Sequence, residues 1–233
     1  MKIRGEDMSL SFNQKRISIC LKIVVIISAI VGTILSALAS SEVFMGGTTV
    51  FMYFTIQSNL LIALVCLLGL VLLLINGRSG NAWYLIKFVS TISITLTGLV
   101  FCFVLAPTMG TQAWGLASVL THVVVPLSAI FDFFIVGLYS NYKKLDVLYV
   151  IIPPILYAIY AGIGYALNWQ FGPNMNYPYF FLNWGSKAGA FGFSNELPFI
   201  GVFWWIILLL LLLIGLGFLY LKILNSLKKI NKE

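Results

Sequence analysis

The chain has 233 residues, of which 9% are charged and 61% apolar, and its mean hydropathy is +1.01. A soluble domain clothes its surface with about 25% charged residues, so a soluble enzyme and a nucleic-acid binder are both excluded. The net charge of +7 does not change that reading, because the basic residues cluster beside the ends of hydrophobic runs. Cys20, Cys66 and Cys102 all lie inside apolar stretches, at spacings that suit neither a metal site nor a disulfide framework. No metal and no cofactor is expected.

A membrane span needs about 20 apolar residues, and six stretches qualify. They run from Ile19 to Ala39, Val50 to Ile75, Phe88 to Ala106, Trp114 to Tyr139, Val147 to Ala166 and Ile200 to Ile223. Spanning segments must satisfy their own backbone hydrogen bonds, so all six are expected to be helices. Asn76-Gly77-Arg78-Ser79-Gly80 separates the second from the third, and Asn141-Tyr142-Lys143-Lys144 the fourth from the fifth. Pro126 is expected to kink its helix. Ala37-Leu38-Ala39 resembles a signal-peptidase site, but the apolar run before it exceeds the usual h-region of about 7–15 residues, so the first segment reads as an uncleaved helix.

Every Lys and Arg except Lys187 falls on one side of these six spans. By the positive-inside rule that side is cytoplasmic and holds both termini. The expected architecture is therefore an all-α integral protein of the plasma membrane. Residues 1–18 form an N-terminal arm, 19–224 a six-helix membrane domain and 225–233 a basic tail. One long outer loop, Leu167 to Phe199, interleaves Trp169, Phe171, Tyr177, Tyr179, Phe180, Phe181 and Trp184 with asparagines. Such aromatics favour the headgroup layer, which reads as an interfacial belt; the functional alternative is a cap over an outer-leaflet pocket.

Ionisable side chains at membrane depth mark function by default. Two lie well inside the spans, His122 and Asp132, both on the fourth helix, and His122 is the sole histidine. Ten residues of helix separate them by about 15 Å and a rotation of about 80°, so they do not form an Asp–His pair. The hydroxyls of Ser90, Thr91, Ser93, Thr95 and Thr97 match Asp132 in depth, which favours a structural, interhelical role for that carboxylate. The second helix opens with Tyr53-Phe54-Thr55-Ile56-Gln57-Ser58-Asn59. Thr55 and Asn59 share a face at i,i+4, and Thr55 lies within a turn of the depth of His122. A threonine hydroxyl needs an adjacent base to act as nucleophile, and histidine is the usual one. Thr55 would attack an ester carbonyl, His122 would take its proton, and Asn59, Gln57 or Ser58 could donate to the oxyanion. The plain alternative is that Thr55 bonds back to its own helix.

These residues carry a resemblance. Tyr53-Phe54-Thr55, His122 followed by Pro126, Thr97-Gly98 with Pro107, and Tyr177-Pro178 in the outer loop make the chain similar to the androgen-induced protein family of multipass membrane hydrolases, in its bacterial six-helix branch. The resemblance implies a threonine nucleophile at Thr55, a histidine base at His122, and esters of fatty acids with hydroxy fatty acids as the substrate class. The partner would be a membrane lipid or lipophilic ester. Two rivals remain on the residues alone. One is a proton-coupled transporter using His122 and Asp132, although no inverted repeat is visible. The other is a non-catalytic lipid-binding protein in which Thr55, Asn59 and His122 only bond helices together.

Overall fold

The computed structural model describes residues 10–40, 44–75, 77 and 80–231. Lys2, Arg4, Asn76, Arg78, Ser79 and Lys232, used above for topology, lie outside the described residues, as does the first half of the N-terminal arm, residues 1–9. Six helices are long and apolar enough to cross a membrane: α1 Phe12–Leu38, α2 Phe54–Leu74, α3 Asn81–Trp114, α4 Leu116–Gly137, α5 Lys144–Ala166 and α6 Val202–Ile230. No strand beyond isolated bridges occurs among the described residues. α1 starts at Phe12 rather than near Ile19 because Ser11 and Gln14 form a capping box. Gln14 N–H donates to Ser11 Oγ at 3.2 Å, and Ser11 N–H to Gln14 Oε1 at 2.9 Å.

Both ends of the described chain lie at one end of the bundle, here the tail end. Tyr139, after α4, donates to Gln14 Oε1 at 2.7 Å, and the Lys228 ammonium of α6 donates to the Ser140 carbonyl. The opposite end holds the start of α2 and the long connection between α5 and α6. α3 is the central rod: 67% of its most apolar window is buried, against 17% for α6. The outward faces of α1, α2, α5 and α6 carry large apolar side chains, among them Ile27, Leu64, Leu156 and Leu211, as a lipid-facing surface requires.

Pro107 and Pro126 do not break their helices. Each follows a π turn ending two residues earlier, at Phe101–Leu105 in α3 and Leu120–Val124 in α4. In regular α geometry a proline ring strikes the carbonyl four residues back, here those of Phe103 and His122. The wider turn makes room, so α3 runs on to Trp114 instead of ending near Ala106.

Asp132 is fully buried, and its partners are not the α3 hydroxyls expected from depth. Thr91, Ser93, Thr95 and Thr97 donate instead to the carbonyls four residues back in their own helix, at 2.7, 2.9, 2.7 and 3.3 Å. The carboxylate accepts from Lys22 of α1 at 2.5 Å through Oδ1 and from Lys87 of α3 at 2.6 Å through Oδ2. Ser18 of α1 donates to Oδ1 at 2.7 Å, and Lys22 also donates to the Ser18 hydroxyl at 2.6 Å. Cys66 of α2 closes the cluster, with its sulfur 3.4 Å from the Lys87 ammonium. Lys22 and Lys87, which hydropathy counts as flanking charges, are thus core residues. The basic bias of the tail end survives without them, in Lys15, Arg16, Lys143, Lys144, Lys222, Lys228 and Lys229.

Asp132→Ala leaves two buried ammoniums without their counter-charge, a loss of about 3–5 kcal/mol, whereas Lys22→Met leaves a balanced Asp132–Lys87 pair. Thermal melts in detergent are expected to show a much larger fall for Asp132→Ala than for Lys22→Met. Equal falls would show that charge balance is not what the cluster contributes.

Candidate functional site

Thr55 stands in the first turn of α2, where backbone N–H groups have no partner four residues back. The long connection supplies one: Thr55 N–H donates to the Tyr179 hydroxyl at 3.2 Å, and Thr55 Oγ1 lies 3.3 Å from the same oxygen. Tyr53, just before the helix, donates to the Phe171 carbonyl at 2.8 Å. Phe171, Tyr179 and Phe181 are buried, with the rings of Tyr179 and Phe181 stacked at 5.1 Å. This part of the connection folds inward as a cap on α2, while Phe191 and Phe193 further along stay exposed. Burial pushes the Tyr179 phenol above its ordinary pKa, which keeps its proton available for donation.

His122 occupies the π turn of α4, a helical irregularity often found at functional sites. Its ring stacks on Phe101, which lies in the matching turn of α3, with centroids 3.8 Å apart and planes 15° from parallel. Nδ1 lies 2.9 Å from the Ser118 carbonyl and 3.1 Å from Thr121 Oγ1. A carbonyl only accepts, so Nδ1 carries the proton and Nε2 presents a lone pair. Nε2 is buried and has no partner. Such an atom costs free energy where it sits, and an imidazole nitrogen in this state is a base without a proton to take.

Asn59 connects the two segments. Its amide nitrogen donates to the Thr55 carbonyl at 2.8 Å and to the Thr121 carbonyl at 3.1 Å, which places the residue next to His122 on the same strap as Thr55. Two carbonyl partners assign the nitrogen to that position, and both its hydrogens are committed there. Ser58 Oγ donates to the Thr55 carbonyl at 3.0 Å and lies 2.7 Å from Thr97 Oγ1. Gln57 is exposed and donates to the Phe51 carbonyl at 3.1 Å. Thr55 and His122 therefore lie on adjoining, tied segments, but the Thr55 hydroxyl is held by Tyr179 and not by the imidazole.

Thr55, Thr97 and Tyr179 line a narrow crevice of about 60 Å³ whose other walls are mostly apolar, among them Val100, Leu105 and Phe181. His122 is not part of that wall. Beside it, between α2 and α5, lies a groove of about 310 Å³ lined by Gln57, Ser58, Leu61, Leu156 and Tyr160. The crevice and the groove share Phe54 and Tyr157, whose rings meet edge to face at 5.3 Å. Among the described residues no group of His, Cys, Asp and Glu could hold a metal ion.

Tyr179 and Phe101 are the site residues that sequence reasoning did not single out. Tyr179 was one aromatic of many in the connection, and Phe101 one of many apolar residues in its span. Gly98 enters the sequence reading only through the Thr97-Gly98 motif. A Cβ on Gly98 would lie 2.9 Å from the His122 carbonyl and 3.2 Å from Pro126 Cγ, so glycine is what lets α3 and α4 meet at the π turn. Gly98→Ala is expected to cost about 1–3 kcal/mol from overpacking against backbone, read as a lower melting temperature. An unchanged melting temperature would show that the two helices separate freely. Comparison of the chain with protein-family models, with curated proteins and with solved structures finds no match.

Proposed function

We propose that the protein is a membrane-embedded hydrolase of lipophilic fatty acyl esters, with Thr55 as nucleophile and His122 as base. The observation that carries this reading is the Asn59 strap: it ties a threonine in the wall of a mostly apolar crevice to the segment bearing a buried imidazole whose Nε2 lone pair is unshared. The resemblance of Tyr53-Phe54-Thr55 and His122 to the androgen-induced protein family supports the same pairing.

The chemistry follows from the donors present. Thr55 exchanges Tyr179 for His122 by side-chain rotation, and its oxygen attacks the ester carbonyl carbon as its proton passes to Nε2. The carbonyl oxygen becomes an oxyanion, and the released Tyr179 O–H donates to it. The carbon–oxygen bond to the alcohol then breaks, and Nε2–H protonates the departing oxygen. Water, deprotonated by Nε2, cleaves the acyl-threonine to release the fatty acid and restore Thr55. The crevice is much smaller than the lateral groove between α2 and α5, so the ester group enters the crevice and the acyl chain lies in the groove, reached past Phe54 and Tyr157 from the bilayer. The basic residues at the tail end support cytoplasmic termini in a plasma membrane, which sets Thr55 in the outer leaflet.

A second reading, a non-catalytic lipid-binding pocket, is favoured by one observation: Thr55 Oγ1 already has a partner in Tyr179. Proton-coupled transport has less support, since the Asp132 carboxylate is fully engaged by two ammoniums and a hydroxyl.

Turnover of a long-chain p-nitrophenyl ester by the purified protein separates these. Thr55→Ala and His122→Ala are each expected to lower kcat by at least about a thousandfold, and Tyr179→Phe, which removes one oxyanion donor, by about 10²–10³. Thr55→Ser should retain measurable turnover. Activity that persists in folded Thr55→Ala, or no activity in the wild type while the ester still binds, would favour the lipid-binding pocket.

A further inference from the structure

One face of α6 changes character as it reaches the tail end. Phe218 and Leu221 are followed on the same stripe by Lys222, Asn225, Ser226 and Lys229, positions brought together by the three-to-four-residue helical spacing. With Tyr142 and Lys144 from the turn into α5, this stripe lines a cavity of about 480 Å³, the roomiest of those described here. The Lys228 ammonium, bonded to the Ser140 carbonyl, fixes α6 against that turn and so holds the two walls of the cavity together.

The charge lining this cavity is unbalanced. Lys144, Lys222 and Lys229 are exposed, and among the described residues no carboxylate forms an ion pair with any of them. The acid nearest in sequence, Asp146, is engaged as acceptor from the Lys143 backbone N–H at 2.7 Å. Toward the middle of the bundle the wall becomes apolar, and Phe218 is 49% exposed. A ligand matching both halves must join a negative head to an apolar tail. A free inorganic anion would leave the Phe218 wall unused, and a neutral lipid would leave three ammoniums uncompensated.

We propose that this groove binds an anionic phospholipid, with its phosphate among Lys144, Lys222 and Lys229, its glycerol oxygens at Asn225 and Ser226, and an acyl chain along Phe218. Basic pockets between helices at a membrane surface hold lipid headgroups in this way. The site is separate from Thr55, which lies at the other end of the bundle. Its occupancy would tie α6, the least buried helix, to the α4–α5 turn.

The test uses the full-length protein in neutral detergent micelles, titrated with dioleoyl phosphatidylglycerol or dioleoyl phosphatidylcholine and read by native mass spectrometry. The wild type is expected to bind phosphatidylglycerol more tightly than phosphatidylcholine. Lys144→Gln/Lys222→Gln/Lys229→Gln is expected to lose about a hundredfold in that affinity, at close to 1 kcal/mol per lysine. The corresponding triple arginine variant should keep it, and Lys15→Gln/Arg16→Gln/Lys143→Gln, which removes equal charge from the same end, should change it by less than about threefold. Wild-type affinity in the triple glutamine variant, or an equal loss in the control variant, would overturn the proposal. So would glycerol 3-phosphate binding as tightly as phosphatidylglycerol, which would mark a site for soluble anions.

Discussion

The structure depends first on one carboxylate. Asp132 of α4 holds Lys22 of α1 and Lys87 of α3 with nothing exposed between them, so three of the six helices share a single buried point of contact. Hydrophobic attraction gives helices in lipid little preference for one rotation over another. A buried charge cluster does, because turning any of the three helices strands a charge in a low-dielectric interior. Asp132 also lies ten residues from His122 along α4, and Lys87 eleven from Gly98 and fourteen from Phe101 along α3. Fixing the register at the clamp therefore fixes it about three to four turns away, where Phe101 stacks on His122 and Gly98 admits the His122 carbonyl.

The other end of the bundle is organised by aromatic packing and by backbone irregularity. The paired π turns before Pro107 and Pro126 face each other through Phe101 and His122. The connection between α5 and α6 adds Tyr179 as acceptor for a backbone N–H left without an intrahelical partner at the start of α2. Polar partners are few here: the Thr55 hydroxyl meets Tyr179, and Nε2 of His122 meets none. In the proposed hydrolase, a lipophilic ester would arrive already dissolved in the bilayer, so little of the transfer energy of its methylenes would be gained again on binding, and recognition would rest on the crevice and on the groove between α2 and α5.

Much of this was legible in the sequence. Hydropathy located six helices long and apolar enough to span a membrane, and the i,i+4 spacing of Thr55 and Asn59 put the two on one face, though not the bond from the Asn59 amide to the Thr55 carbonyl. The isolation of Asp132 and His122 from one another followed from helix geometry alone. What escaped was every interaction made across long sequence separation. Lys22 and Lys87 read as flanking charges because a lysine near the end of an apolar run ordinarily reaches out to the interface, and only the position of Asp132 on a neighbouring helix draws them in. Depth matching assigned Asp132 to the α3 hydroxyls, but a hydroxyl on a helix has its own carbonyl within reach, and an ammonium is the stronger donor to a carboxylate. Tyr179 contacts Thr55 from 124 residues away, and no local pattern distinguishes it from the aromatics around it. The π turns were equally silent, since a proline in a span signals a kink but not how the backbone absorbs it.

The central claim is that the Thr55 oxygen, poised between Tyr179 and the segment bearing His122, is a nucleophile. The most direct measurement is the site of covalent modification by an alkyl fluorophosphonate, located by peptide mass in the folded wild-type protein. The account predicts a single phosphonyl adduct on Thr55, and none when His122 is replaced by alanine. An adduct on Ser58 or another hydroxyl, or an unmodified Thr55 after exhaustive labelling, would contradict it.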